Sequence, residues 1–146
     1  MTTPATLITG VDFVCVPTRD HDRAVEFYCD TLGLERRKRW GPMPATELQA
    51  GNLTLAVMDP SAFGQAEATP NSVPIALQVD DVEAARTLLE GKGVTFVVEM
   101  IDSGVCHQAI FHDPDGNPLI LHHRYAPSPS SSPAPESRGP SPERAR

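Results

Sequence analysis

The stretch FHDPDGNPLILHHRY, residues 111–125, decides how the rest of the chain is read. Asp113-Pro114 followed by Asp115-Gly116-Asn117 has the makeup of a tight turn. Pro fixes φ, Asp and Asn side chains can bond their own backbone, and Gly tolerates the left-handed region. The turn joins two segments with strand patterning, Val105–Phe111 and Leu119–His122. Upstream lies a further strand pattern at Val94–Met100, preceded by a helix that Asp81 can cap. Its apolar stripe is Ala85, Leu88 and Leu89, and Gly91 and Gly93 end it. Ile75–Val79 supplies the strand before that helix, giving the order strand, helix, three strands.

The same order stands in the first half. VDFVCVP (Val11–Pro17) reads as a strand, and DHDRAVEFYCDTLG (Asp20–Gly33) reads as a helix with stripe Ala24, Phe27, Tyr28 and Leu32. Strand patterns follow at Leu34–Trp40, Ala45–Gln49 and Leu53–Met58. Signposts match between the halves: Asp20 with Asp81, Ala24 with Ala85, Gly33 with Gly93, and Gly51-Asn52 with Gly116-Asn117. The expected fold is therefore α+β, two tandem βαβββ modules. Residues 1–8 form a short extension, 9–62 the first module, 63–72 a polar linker, 73–125 the second module, and 126–146 a tail.

DRAVEFYCDTLGLE in the first helix, VDDVEAARTLLEGKGV in the second and FHDPDGNPLILHHRY at the end together resemble the vicinal oxygen chelate superfamily, which groups glyoxalases, bleomycin-resistance proteins and extradiol dioxygenases. The resemblance spans roughly residues 9–126. It implies a cupped mixed sheet with helices outside, a small-molecule site in the cup, and a homodimer. In metal-using members it further implies His, Glu or Gln ligands on the first and fourth strands of each module.

Strand alternation identifies the cup-facing residues. With Val14 and Val16 toward the core, Phe13 and Cys15 face the cup, and Phe13 matches the superfamily's His. With Ile75, Leu77 and Val79 toward the core, Pro74, Ala76 and Gln78 face inward, and Pro74 matches the second His. Ile120 matches the Glu, with His122 beside it, and Thr54, Ala56 and Met58 are left on the fourth strand. Phe, Pro and Ile offer no side-chain lone pair, whereas a divalent ion needs three or four converging N, O or S donors. Of His107, His112, His122, His123 and Glu47, the adjacent His122 and His123 must point to opposite faces. The expectation is thus no metal and no other cofactor, a divalent metal being the alternative.

The cup then has apolar walls of Phe13, Met58, Pro74, Ala76 and Ile120, with Glu47, Gln49, Gln78 and His122 as polar groups, the usual makeup of a small-molecule pocket. Trp40, the sole tryptophan, either stacks on a flat ligand or covers a strand end or dimer contact. His122 is the one catalytic candidate, as a general base, or else a polar cap. Cys15 reads as a small core residue. The leading expectation is a metal-independent binding protein of the bleomycin-resistance type that sequesters an antibiotic or other ring-containing natural product. The alternative is a lyase, isomerase or dioxygenase with displaced ligands or His122 as base.

Composition excludes other classes. A net charge of −7, with the Arg36-Arg37-Lys38-Arg39 run as the one basic cluster, is a poor footprint for nucleic acid or an anionic membrane. No apolar run reaches the length of a membrane span. Three cysteines without CxxC spacing fit a cytoplasmic protein without disulfides. The tail, APSPSSSPAPESRGPSPERAR, holds six of the fifteen prolines and no large apolar residue, so it cannot offset the entropy of ordering. Truncation after Tyr125 should leave the melting curve nearly unchanged; a drop of more than a few degrees would show the tail docking on the domain.

Overall fold

A computed structural model describes residues 7–127; the Pro/Ser-rich tail beyond, and residues 1–6 of the N-terminal extension, lie outside that range. In chain order the elements are β1 (Val14–Pro17), α1 (His21–Glu26), β2 (Glu35–Arg39), β3 (Ala45–Ala50), β4 (Leu53–Met58), β5 (Ile75–Gln78), α2 (Val82–Gly91), β6 (Ile101–Asp102), β7 (Cys106–His112) and β8 (Pro118–Arg124). They form two four-stranded sheets of the same order, β1-β4-β3-β2 and β5-β8-β7-β6. In each, the first strand runs parallel to the fourth and the remaining pairs are antiparallel. A helix is needed between the parallel strands because a hairpin cannot connect them. The two βαβββ modules are therefore present as expected.

Both helices begin where the sequence offers a side-chain acceptor. Asp20 takes the Arg23 N–H and Asp81 takes the Ala84 N–H. Beyond Glu26 the first helix widens into a π turn over Phe27–Thr31, which the apolar stripe alone did not signal. Within it Tyr28 is fully buried. In α2 the buried face is Val82 and Leu89, while Leu88, expected on the stripe, is 63% exposed.

The strand expected at Val94–Met100 is absent. Phe96 makes one isolated bridge to Phe111, and regular pairing starts only at the two-residue β6. Arg86 accounts for part of this difference. Its guanidinium lies over the Phe96 ring at 4.8 Å and donates to the Val98 carbonyl at 2.8 Å, taking an acceptor that a ladder would use. Cys15 is a second correction: it is exposed, not part of the core. Its neighbour Val16 is buried, whereas Val14, also expected toward the core, is 37% exposed.

One core serves both modules. Val16, Val25, Leu48, Leu55 and Val57 of the first pack with Val82, Leu89, Phe111, Leu119 and Leu121 of the second. Above it sits a polar knot built by the 113–117 turn. Asp113 is buried; its Oδ2 accepts from the Tyr28 hydroxyl and from Asn117 Nδ2, both at 2.7 Å, and its Oδ1 accepts from the backbone N–H groups of Asp115 and Asn117. Asn117 Nδ2 also donates to the Pro17 carbonyl at 2.9 Å, and its Oδ1 accepts from the Asn71 N–H. Asp115 receives the Thr18 hydroxyl and the Arg19 N–H. Gly116 closes the turn at φ +89, where an added Cβ would also stand 3.4 Å from Pro70.

Burial, then the Asp113 charge, pushes the Tyr28 phenol far above its usual range, so it stays a donor. Tyr28→Phe removes a donor to a buried carboxylate and should cost about 2 kcal/mol of stability. Urea denaturation checks this; an unchanged midpoint at unchanged slope would show that the bond contributes nothing.

Candidate functional site

Cross-strand partners share a sheet face, so the register shows which residues stand together. On the first sheet one row runs Cys15, Ala56, Glu47, Lys38 through β1, β4, β3 and β2, and a second runs Pro17, Met58, Ala45. On the second sheet the rows are Ala76, Ile120, Ile110 and Gln78, His122, Gln108 across β5, β8 and β7. The alternate rows, such as Val16–Val57 and Leu77–Leu121–Ala109, are the core-facing ones.

On the first sheet the structure brings Phe13, Trp40 and Glu47 together. The Phe13 and Trp40 rings lie 5.2 Å apart at 63°, and Trp40 Nε1 donates to Glu47 Oε2 at 2.8 Å. Phe63 completes the group, 6.0 Å from Trp40 at 87°. Sequence reasoning placed Phe63 at the start of the linker and missed it. The available signal was the Asp59-Pro60 pair, which starts a 3₁₀ turn over Pro60–Phe63 and returns the chain toward the sheet. Met58 is half-buried on the same face, and Cys15 stands there exposed. Partial shielding raises the Cys15 thiol above its ordinary value, which makes it a poor nucleophile at neutral pH.

On the second sheet His122 sits between Gln78 and Gln108, and Ile120 between Ala76 and Ile110; Pro74 precedes β5. No described contact joins this group to the aromatic group on the first sheet. A cavity of about 1050 Å³ lies instead between the modules, lined by residues such as Leu32, Leu53, Ile75, Leu77, Gln78 and Leu88. Thr31, Gln49, Asn52, Asp80 and Lys92 bring polar side chains to it, and Gln78 belongs both to this lining and to the second-sheet row.

The donor set does not fit a divalent ion. Phe13, Pro74 and Ile120 occupy the matched positions, and among the described residues no three His, Cys, Asp or Glu side chains converge on one point. His107 is turned to Asp102 at 3.4 Å and lies against Tyr125, His123 Nδ1 is 3.1 Å from the Val79 carbonyl, and His112 is exposed. Tyr125 donates to Asp102, whose carboxyl is held below its usual range by the Gly104 N–H first and by that hydroxyl second. His107 and His123 are thus engaged with other groups.

The family model described as Glyoxalase/Bleomycin resistance protein/Dioxygenase superfamily matches residues 10–121. The chain belongs to this superfamily. Solved structures agree across nearly the whole of each relative. TnmS3, an antibiotic-binding protein from Streptomyces sp. CB03234, is 26% identical with a TM-score of 0.67, over 82% of this chain and 98% of that one. A glyoxalase/bleomycin resistance protein from the same organism is 26% identical with a TM-score of 0.62, over 76% and 97%. Lactoylglutathione lyase from Agrobacterium tumefaciens is 19% identical with a TM-score of 0.67, over 80% and 95%, a likeness of fold alone. No curated protein matches the chain.

The chain thus has the superfamily's fold, and Phe13, Pro74 and Ile120, which the resemblance matches to ligand positions, bear no side-chain donor atom. Dialysis against chelator should leave its melting temperature unchanged, and adding Zn²⁺, Mn²⁺, Fe²⁺ or Ni²⁺ should not raise it. Binding at 100 times the dissociation constant would stabilise by about 2.7 kcal/mol, a shift easily seen. Stoichiometric metal lost on mutating His122 would overturn the assignment.

Proposed function

We propose that this superfamily member is a metal-independent binding protein that holds a ring-containing, largely apolar small molecule on its cup face without transforming it. One observation carries the reading: at the position matching a metal-binding His stands Phe13, whose ring is packed on Trp40, itself fixed by Glu47. A ring in that place is a stacking surface. Gln78 and His122 supply hydrogen-bonding groups on the second sheet. The likeness to TnmS3, at 26% identity, supports the same reading.

The assembly that fits is a homodimer. Among the described residues β1 pairs only with β4 and β5 only with β8, which leaves an unpaired edge on each. Ahead of β1, Leu7, Ile8 and Val11 are 95%, 74% and 69% exposed, an apolar strip that a second copy would cover. A monomer in light scattering at micromolar concentration would count against it. Cys15, Cys29 and Cys106 are all free thiols, which suits a reducing, cytoplasmic setting. No helix among the described residues is long and apolar enough to cross a membrane.

The direct test is a thermal-shift and native-mass screen of natural products, followed by titration of a hit. Phe13→Ala should weaken binding by roughly 0.5–1.5 kcal/mol, the contribution of one aromatic stack, and Trp40 fluorescence should respond to the ligand. Affinity indifferent to Phe13, Gln78 and His122 would remove the cup from consideration. Recovery of a chemically altered ligand would place the protein among the superfamily's enzymes.

A further inference from the structure

The aromatic group on the first sheet has an electrostatic character that an apolar wall would not need. Phe13 and Phe63 stand at 63° and 87° to the Trp40 indole, so three rings form adjoining walls and not a stack. Phe13 and Phe63 are 40% and 37% exposed, leaving ring surface open to a ligand. Aromatic faces carry the negative part of the ring quadrupole and attract cations. At the same place sits a carboxylate, Glu47, of which one oxygen, Oε2, is occupied by Trp40 Nε1. None of the ion pairs among the described residues involves Glu47.

The neighbouring basic run does not cancel this charge. Arg36 and Arg39 are in register with Leu48 and Thr46, on the core-facing side of the sheet, and Arg37 lies at the irregularity in the β2–β3 pairing, 3.4 Å from Glu35. Only Lys38 is in register with Glu47. It is exposed, and among the described residues no ion pair joins it to Glu47. A neutral ring laid over this corner would strip water from an ionised carboxylate without compensation, which is costly. A cation repairs that loss, and the chain's net charge of −7 draws cations toward it.

We propose that the corner of Phe13, Trp40, Phe63 and Glu47 receives the positively charged end of the ligand, a quaternary ammonium or a protonated tertiary amine. The inference rests on the reading of the cup face as the ligand site, and narrows its ligands to amine-bearing, ring-containing molecules. The carboxylate oxygen not held by Trp40 faces the charge, and the rings enclose the alkyl groups around it.

The test uses the full chain and three soluble probes at constant ionic strength, followed by the emission of the single tryptophan. The probes are tetramethylammonium, the uncharged near-isostere neopentyl alcohol, and benzyl alcohol as a neutral ring. Tetramethylammonium should bind on the order of tenfold more tightly than neopentyl alcohol. Glu47→Gln, which keeps an acceptor for Trp40 Nε1 while removing the charge, should abolish that preference, and Phe63→Ala should weaken it. Equal binding of the two isosteres, or a preference that survives Glu47→Gln, would overturn the cation site. Should benzyl alcohol still bind in that case, the cup remains a site for neutral rings. Silence from all three probes would sink the cation site and the cup reading together.

Discussion

A buried carboxylate with four hydrogen bonds organises this molecule. Asp113 accepts from a tyrosine of the first module, from an asparagine side chain, and from two backbone N–H groups of its own turn. Removing an ion from water is expensive, and only such full satisfaction makes it tolerable. The consequence is geometric: the turn before β8 has a small range of positions relative to the end of β1 and to the π turn after α1. Asn117 extends the constraint to the linker through Asn71. The apolar core beneath is shared between modules but is not directional; the polar knot fixes which residues of it face one another.

Much of this was legible in the residues. Tight-turn chemistry in 113–117, the two Asp caps and the repeated order of strands and helix all describe local preferences, and local preferences survive folding when the core agrees with them. Parity along β4, β5 and β8 was equally legible, since the sheets keep Leu55, Val57, Leu119 and Leu121 inside. The failures lie where a distant partner intervenes. Val94–Met100 has strand composition, yet Arg86, on the preceding helix, takes a backbone acceptor there. Leu88 fits a helical stripe, yet it borders the open groove between modules. Phe63 was invisible as a site residue because only the packed chain shows which way a linker residue points.

The candidate site itself divides along the same line. Its individual residues follow from strand alternation, which is local, whereas their grouping depends on how the two sheets are oriented. In one chain the aromatic corner and the Gln78–His122–Gln108 row belong to separate sheets whose opposite faces are packed into a common core. Each row thus works as a surface element, and a closed pocket requires that something be set against it. Changes of side chain on those rows leave the packing of Leu55, Val57, Leu119 and Leu121 on the opposite faces in place.

The span of the polar knot also bears on how the chain comes to be folded. Asn117 reaches back across 100 residues to Pro17, and Asp113 reaches back across 85 to Tyr28. During synthesis the first module emerges with all its own strands, but its Tyr28 hydroxyl and the Pro17 carbonyl have no partner until the 113–117 turn leaves the ribosome. Contacts of such separation are slow to form, and an N-terminal unit waiting for them exposes unpaired polar groups beside apolar surface. A first half folded on its own leaves the Tyr28 hydroxyl and the Pro17 carbonyl to water, and the last hairpin is what gives them protein partners.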